Sequence, residues 1–307
     1  VQAHYDRLGI VAAVREGEYP GLYETEFAIT DDPMISILIP NKDHLVDLQT
    51  SIRSITEQSD YENYEILIIE NNSTEPETFA GYKELERQDA RIRVLRYEGS
   101  FNFSAINNFG AAHAEGDYLL LLNNDTEMIH GDCLRQLLGP CQRPEVGITG
   151  ALLYYGDDTI QHAGVVLGFG GIAGHAFIGE KRGDNGYFSR IICRQDYSAV
   201  TAACLMVKTS VYREVGGMSE DLRVAFNDID FCMKVRKAGY LVVYNPGAEL
   251  YHFESKSRGL ENTQEKIERF NGEIAQFLAR WGEDIKAGDP YYNPNLSLDK
   301  ADFSLRL

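Results

Sequence analysis

The sequence predicts an α/β fold: a mostly parallel central sheet, wound by right-handed crossovers and flanked by helices. The first observation is alternation. Apolar β-rich runs at 34–40 (MISILIP), 64–70 (YEILIIE), 92–97 and 118–122 are separated by helix-periodic segments, which is the pattern of successive βαβ units. The second is that these runs are apolar almost throughout, as strands covered on both faces are. The third is how they end. Asn41-Lys42-Asp43, Glu70-Asn71-Asn72-Ser73 and Asn123-Asn124-Asp125 follow directly on the strands. Ligands of open α/β sheets bind outside those ends.

The elements follow in order. Residues 1–33 are mixed, with turn chemistry at 17–21 (GEYPG) and a close at Asp31-Asp32-Pro33; they read as a connector or an edge strand. Helical spacing covers 45–57, 78–88 and a short segment at 104–114 stopped by Gly116. After Asp125 the rhythm changes. A helix is expected at 131–143 and a strand at 147–153. The glycine-rich 164–174 (GVVLGFGGIAG) lacks a phosphate-loop spacing and reads as a bend lining a cleft. A buried strand at 202–208, a helix at 227–238, a strand at 241–244 and a long amphipathic helix at 263–281 complete the pattern. The coarse picture is a nucleotide-binding half joined to a less regular substrate half around one sheet.

The 307 residues are 44% hydrophobic and 25% charged, a globular composition. The formal charge of −18, from 29 basic and 47 acidic residues, argues against nucleic acid or anionic lipid as partners. A phosphate ligand would need a cation or helix N-termini to offset that field. Five cysteines without CxxC spacing suit a reducing compartment and read as small buried hydrophobes. No apolar run approaches the roughly 20 residues that span a bilayer, and no signal-peptide h-region is visible. The start at Val1 suggests a piece of a longer chain with an upstream domain.

Each candidate site residue has a bland alternative. Asn and Asp at strand ends favour turns in any case; three such ends on one sheet edge favour a ligand. Asn102 or Ser104 would cap the helix that opens at NFSAINN and leave N–H groups for a phosphate. Asn107 carries a propensity cost inside that helix, so its amide either meets the ligand, reaches the Asn123 turn, or is simply satisfied in the core. Asn227 is the expected N-cap of its helix, with Asp228 and Asp230 in the first turn. Two residues apart, these acids point in different directions, so one faces the cleft and the other serves the helix start. His252 could ligate a metal, and Lys256 and Arg258 could clamp phosphate oxygens. Gln161-His162 is a weaker candidate.

In order, SILIP, IIENNST, NFSAINN, LLLLNND, FNDIDFCMKVRKAGY and YHFESKSRG resemble family 2 glycosyltransferases of the GT-A fold. The likeness is to the bacterial O-antigen and cell-surface polysaccharide branch, which includes rhamnosyltransferase-like proteins, and runs from about residue 34 to the C-terminus. It implies a connector at 1–33 and a transferase domain at 34–307, divided into a nucleotide-binding half (34–126), an acceptor and catalytic half (127–260) and a C-terminal helix and tail (261–307). It further implies inverting transfer from a nucleotide-diphosphate sugar, UDP- or dTDP-linked, to a glycan or lipid-linked glycan, assisted by Mn2+ or Mg2+. Pro40 and Glu70 match the base and ribose pocket, with Asn41, Asn72, Asn102, Asn107, Asn123 and Asn124 as further nucleotide-binding candidates. Asp125 matches the metal-binding acid and His252 a histidine that completes the metal shell. Asp228 matches the general base, with Asn227 where an acid is usual. Asp230, Ser257, Arg258 and Gly217 are assigned to the diphosphate and acceptor. Asn123 stands where the family carries its first acid, which removes a charge from the metal site. The implied setting is the cytoplasm, either soluble or peripheral at the inner face of the membrane. The Asn123 and Asn227 exchanges keep a noncatalytic binding scaffold as the alternative. Nucleotidyl transfer ranks third, because no glycine-rich basic loop follows Pro40.

Overall fold

The computed structural model describes residues 1–253 and 263–306. The chain opens with α1 (Gln2–Leu8) and an antiparallel hairpin, β1 (Ala12–Glu16) and β2 (Tyr23–Phe27). This segment is therefore not an edge strand of the main sheet. It is fastened to the body by side chains: Gln142 exchanges two hydrogen bonds with the Thr30 backbone, and Arg194 Nη1 donates to Thr25 O at 2.7 Å.

The wound half follows as β3 (Ile35–Asn41), α2 (Leu45–Thr56), β4 (Tyr64–Glu70), α3 (Pro76–Gln88), β5 (Ile92–Arg96), α4 (Phe103–His113) and β6 (Tyr118–Leu122). These four strands are mutually parallel in the order β5-β4-β3-β6. The second half then adds β7 (Thr126–Met128), α5 (Cys133–Cys141), β8 (Val146–Tyr154), β9 (Ile160–His162), β10 (Val165–Leu167), β11 (Ala173–His175), β12 (Gln195–Asp196), β13 (Cys204–Lys208), α6 (Thr209–Glu214), α7 (Asn227–Lys237), β14 (Leu241–His252) and α8 (Gln264–Ala287). Here the sheet turns mixed: β13 runs against β6 and β8, while β8 and β14 are parallel. The glycine-rich segment becomes the small β10–β11 hairpin, outside the main sheet.

The strand period of two divides the core. Ile37, Ile39, Ile66, Ile68, Leu120 and Leu122 meet α2 and α5 on one face, through Leu48, Ile52, Leu134 and Leu137. Leu38, Leu67, Ile69, Leu119 and Leu121 share the other core with Ile106, Phe231 and Phe277. Both faces are covered, which is why these runs carry almost no polar residue.

The winding places the site. From β3 the chain moves outward to β4 and β5, then returns through α4 to β6 on the other side of β3. The loops after β3 and β6 therefore diverge at a topological switch point, where a crevice forms. Pro40 reinforces it. The β3–β6 ladder ends at the Leu38–Leu121 pair, so the missing Pro40 N–H costs nothing on that side.

Candidate functional site

A cleft of about 710 Å³ opens at this crevice. Its floor is the sheet edge: Pro40–His44 at and beyond the end of β3, Asn71 after β4, Asn123–Asp125 after β6, and Thr201–Ala203 leading into the antiparallel β13. Cys204 pairs with Leu122, so the entry to β13 and the exit from β6 share an edge. His252, the last residue of β14, joins them because it pairs with Thr126. Val224, Asn227 and Asp228 at the start of α7, with Lys266 and Arg269 of α8, line another side.

The floor is knit together by amides. Asn124 Nδ2 donates to Asn41 Oδ1 at 2.6 Å, bridging the switch point, and Asn41 Nδ2 donates to the Tyr82 hydroxyl at 2.7 Å. Asp43 accepts the N–H groups of Thr74 and Glu75 at 2.8 and 2.9 Å. Burial pushes the Asp43 carboxyl up, but these two donors, with the Thr74 hydroxyl and the Lys42 charge, together hold it below the usual range. The β3 and β4 loops are thus tied to each other as well as to β6.

Asp125, 7% exposed, lies beside His252, with Oδ1 3.2 Å from Nε2. Asn123 Nδ2 lies 3.0 Å from the same nitrogen. Among the described residues no group of three or more His, Cys, Asp or Glu side chains could hold a metal. The donor set does fit a cation shared with a substrate. A carboxylate and an imidazole sit together, an amide could turn its oxygen inward, and phosphate oxygens would complete the shell.

The two acids of α7 part company. Asp228 lines the cleft; Oδ1 accepts from Ile229 N at 2.9 Å and Oδ2 from Ala202 N at 3.2 Å. Asp230 is fully buried and accepts from Ser219 Oγ at 2.6 Å, Trp281 Nε1 at 2.9 Å and Arg280 Nη1 at 3.3 Å. It therefore lies away from the cleft and bolts α8 and the 219 loop to α7. Asn227 is not the N-cap. Phe226 takes that place in a left-handed conformation, φ 60°, and Asn227 Oδ1 receives the Asp228 N–H.

Other expected site residues also lie outside the cleft lining. Glu70, 3% exposed, accepts the Ser73 N–H and closes its own turn. Asn72 donates to Gly99 O, bracing the loop before α4. Asn102 caps α4 by accepting from Ala105 N, while Phe103 N donates to Arg223 O. Those two N–H groups at the α4 terminus are therefore spent within the protein rather than offered to phosphate. Asn107 is buried and donates back to Phe103 O within its own helix. Gly217 serves a turn: its φ is +66°, and a Cβ there would come within 2.6 Å of Asn108 Oδ1. Ser257 and Arg258, with Lys256, fall outside the described residues.

The sequence marks Gln161 only as a weaker candidate and Glu273 not at all. Gln161 lines the cleft and grips His252. Glu273 of α8, 3% exposed, accepts the backbone N–H groups of Arg223 and Val224 at 2.8 Å and Ala225 at 3.2 Å, fixing the loop that delivers Asp228. A signal for Glu273 existed: it shares the buried stripe of α8 with Phe277 and Trp281, where an acid is out of place.

His162 is sealed beside this cluster, its ring edge-on to His175 at 4.8 Å. Burial pushes its pKa well below 6.5, and His175 and His252 add to the shift. Folded His162 stays neutral where an unfolded histidine protonates. Its stability contribution is therefore complete above about pH 6.5 and is lost as the pH falls through that value. The melting temperature is expected to drop between about pH 7 and pH 5.5, and His162→Gln to flatten the dependence. Equal slopes in the two proteins would clear His162 of this role.

Residues 36–211 match the model of glycosyl transferase family 2. The chain is 46% identical over 290 residues to the uncharacterized protein y4gI of Sinorhizobium fredii, covering 94% of this chain and 32% of that protein. It is 35% identical over 288 residues to the O-antigen biosynthesis protein RfbC of Myxococcus xanthus, covering 94% and 22%. The chain thus spans a third or less of these relatives. Among solved structures, the mannosyltransferase PcManGT from Pyrobaculum calidifontis, in complex with GDP-Man and Mn2+, superposes with a TM-score of 0.60 at 14% identity, over 83% of this chain and 66% of that one. With these matches added to the strand-end cleft, the chain belongs to glycosyl transferase family 2 and has the GT-A fold.

Proposed function

We propose that residues 34–307 form an inverting, metal-dependent glycosyltransferase domain that extends a bacterial surface polysaccharide from a nucleotide-diphosphate sugar, with 1–33 as its connector to an upstream domain. The observation that carries this is the pairing, in one cleft, of the Asp125–His252 cluster at the sheet edge with Asp228 at the start of α7. Asp228 takes the proton from the attacking acceptor hydroxyl. Attack opposite the leaving diphosphate inverts the anomeric carbon, as it does in inverting glycosidases. Asp125 and His252, with Asn123 turning its amide oxygen inward, would hold Mn2+ or Mg2+, which supplies neutralisation of charge on the diphosphate when bound. Lys42, Lys266 and Arg269 line the same cleft and add positive charge against a chain total of −18. The RfbC relative supports the polysaccharide setting, and a glycan or lipid-linked glycan is the acceptor this implies.

A thermal-shift screen of nucleotide sugars with and without Mn2+ tests the reading. UDP and dTDP sugars lead the panel, and GDP-mannose joins them because the structural neighbour holds it. The correct donor is expected to raise the melting temperature only with Mn2+, since a ligand of the folded state stabilises it according to its affinity. Asp125→Asn should remove the metal-dependent part. A wild-type chain indifferent to every donor and metal would favour the scaffold alternative instead.

A further inference from the structure

Gln161 sits in β9, 3% exposed, and grips His252 twice. Its Nε2 donates to the His252 backbone oxygen at 3.2 Å, and its Oε1 lies 2.5 Å from His252 Nδ1. These contacts determine where the protons are. A backbone carbonyl only accepts, so the NH2 end of the Gln161 amide must face it, and Oε1 must face the ring. An amide oxygen also only accepts, so Nδ1 carries the proton. With a single ring proton, Nε2 presents its lone pair 3.2 Å from Asp125 Oδ1 and 3.0 Å from Asn123 Nδ2, which can donate to it.

We infer that Gln161 is a positioning residue that holds His252 as its Nδ1–H tautomer, with Nε2 turned to Asp125 to ligate the cation. The inference rests on the metal reading of the site. Without this grip, the proton can move to Nε2 and donate to Asp125. That bond would occupy both protein ligands with each other and close the site to metal. Partners of a ligand histidine of this kind typically contribute about ten- to hundredfold in metal affinity.

The test uses the whole chain, labelled with 15N-histidine, as wild type, Gln161→Met and Gln161→Glu. Long-range 1H–15N spectra of the metal-free proteins report the His252 tautomer, and paramagnetic resonance reports binding of Mn2+ alone. Wild type is expected to show Nδ1–H. Gln161→Met should lose that preference and weaken Mn2+ by about ten- to hundredfold. Gln161→Glu, which keeps an acceptor for Nδ1–H, should retain the tautomer and most of the affinity. An Nε2–H tautomer in wild type overturns the inference. So does undiminished Mn2+ binding by Gln161→Met, or loss of the tautomer in a folded Gln161→Glu, the arm that decides if the methionine variant does not fold. A wild-type chain with the expected tautomer but no Mn2+ binding overturns the metal reading itself, a separate failure.

Discussion

Asp228→Asn is expected to cut sugar transfer by about a thousandfold while the protein stays folded. The carboxylate is held from both oxygens by the N–H groups of Ile229 and Ala202. An amide at the same place keeps one of these acceptors and turns a donor toward the other. The structural cost is thus about one hydrogen bond, on the order of 1 kcal/mol, or a melting shift of about 2–4 °C for a chain of this size. The chemical cost is much larger, because an amide cannot accept the hydroxyl proton. Initial rates with the donor identified in the screen, alongside a melting curve, separate the two. Transfer within tenfold of wild type would remove Asp228 from the mechanism.

Asp230→Ala should show the opposite pattern. The carboxylate is fully buried and takes hydrogen bonds from Ser219, Trp281 and Arg280. Removing it orphans the buried Trp281 N–H and the Ser219 hydroxyl, each at about 1–3 kcal/mol. The Arg280 side chain is 35% exposed, so its ion pair is screened and adds little. The sum is on the order of 3–5 kcal/mol, a melting temperature lower by about 10 °C. Well below that temperature, transfer should persist, since Asp228 keeps its own partners. A variant as stable as wild type but inactive would place Asp230 in the chemistry after all.

The strands, unlike these two acids, could be read locally. Apolar strands bounded by turn residues are local signals, and Tyr64–Glu70 and Tyr118–Leu122 lie where the residue pattern puts them. The strand at 241–244 came out short for the same reason. Asn245-Pro246-Gly247 reads as a turn, yet the chain continues to His252 as β14 through an irregularity in its pairing with β8. The small strands β7 and β9 carry no pattern of their own and exist because β14 and β8 offer edges to them.

The sequence by itself determined the wound sheet, the strand ends and the candidacy of Asp125, Asp228 and His252. Run length, turn chemistry and helix position are properties of neighbouring residues. Only the tertiary structure supplied the reason that Asp228 and not Asp230 of α7 lines the cleft: Trp281, 51 residues away, claims Asp230. It likewise turned Glu70 and Asn107 inward to close a turn and a helix. It recruited Gln161 to a histidine 91 residues on, and Glu273 to a loop 48 to 50 residues back. A buried polar group is settled by whichever partner the folded chain brings within hydrogen-bond reach, and that partner has no fixed spacing in the sequence.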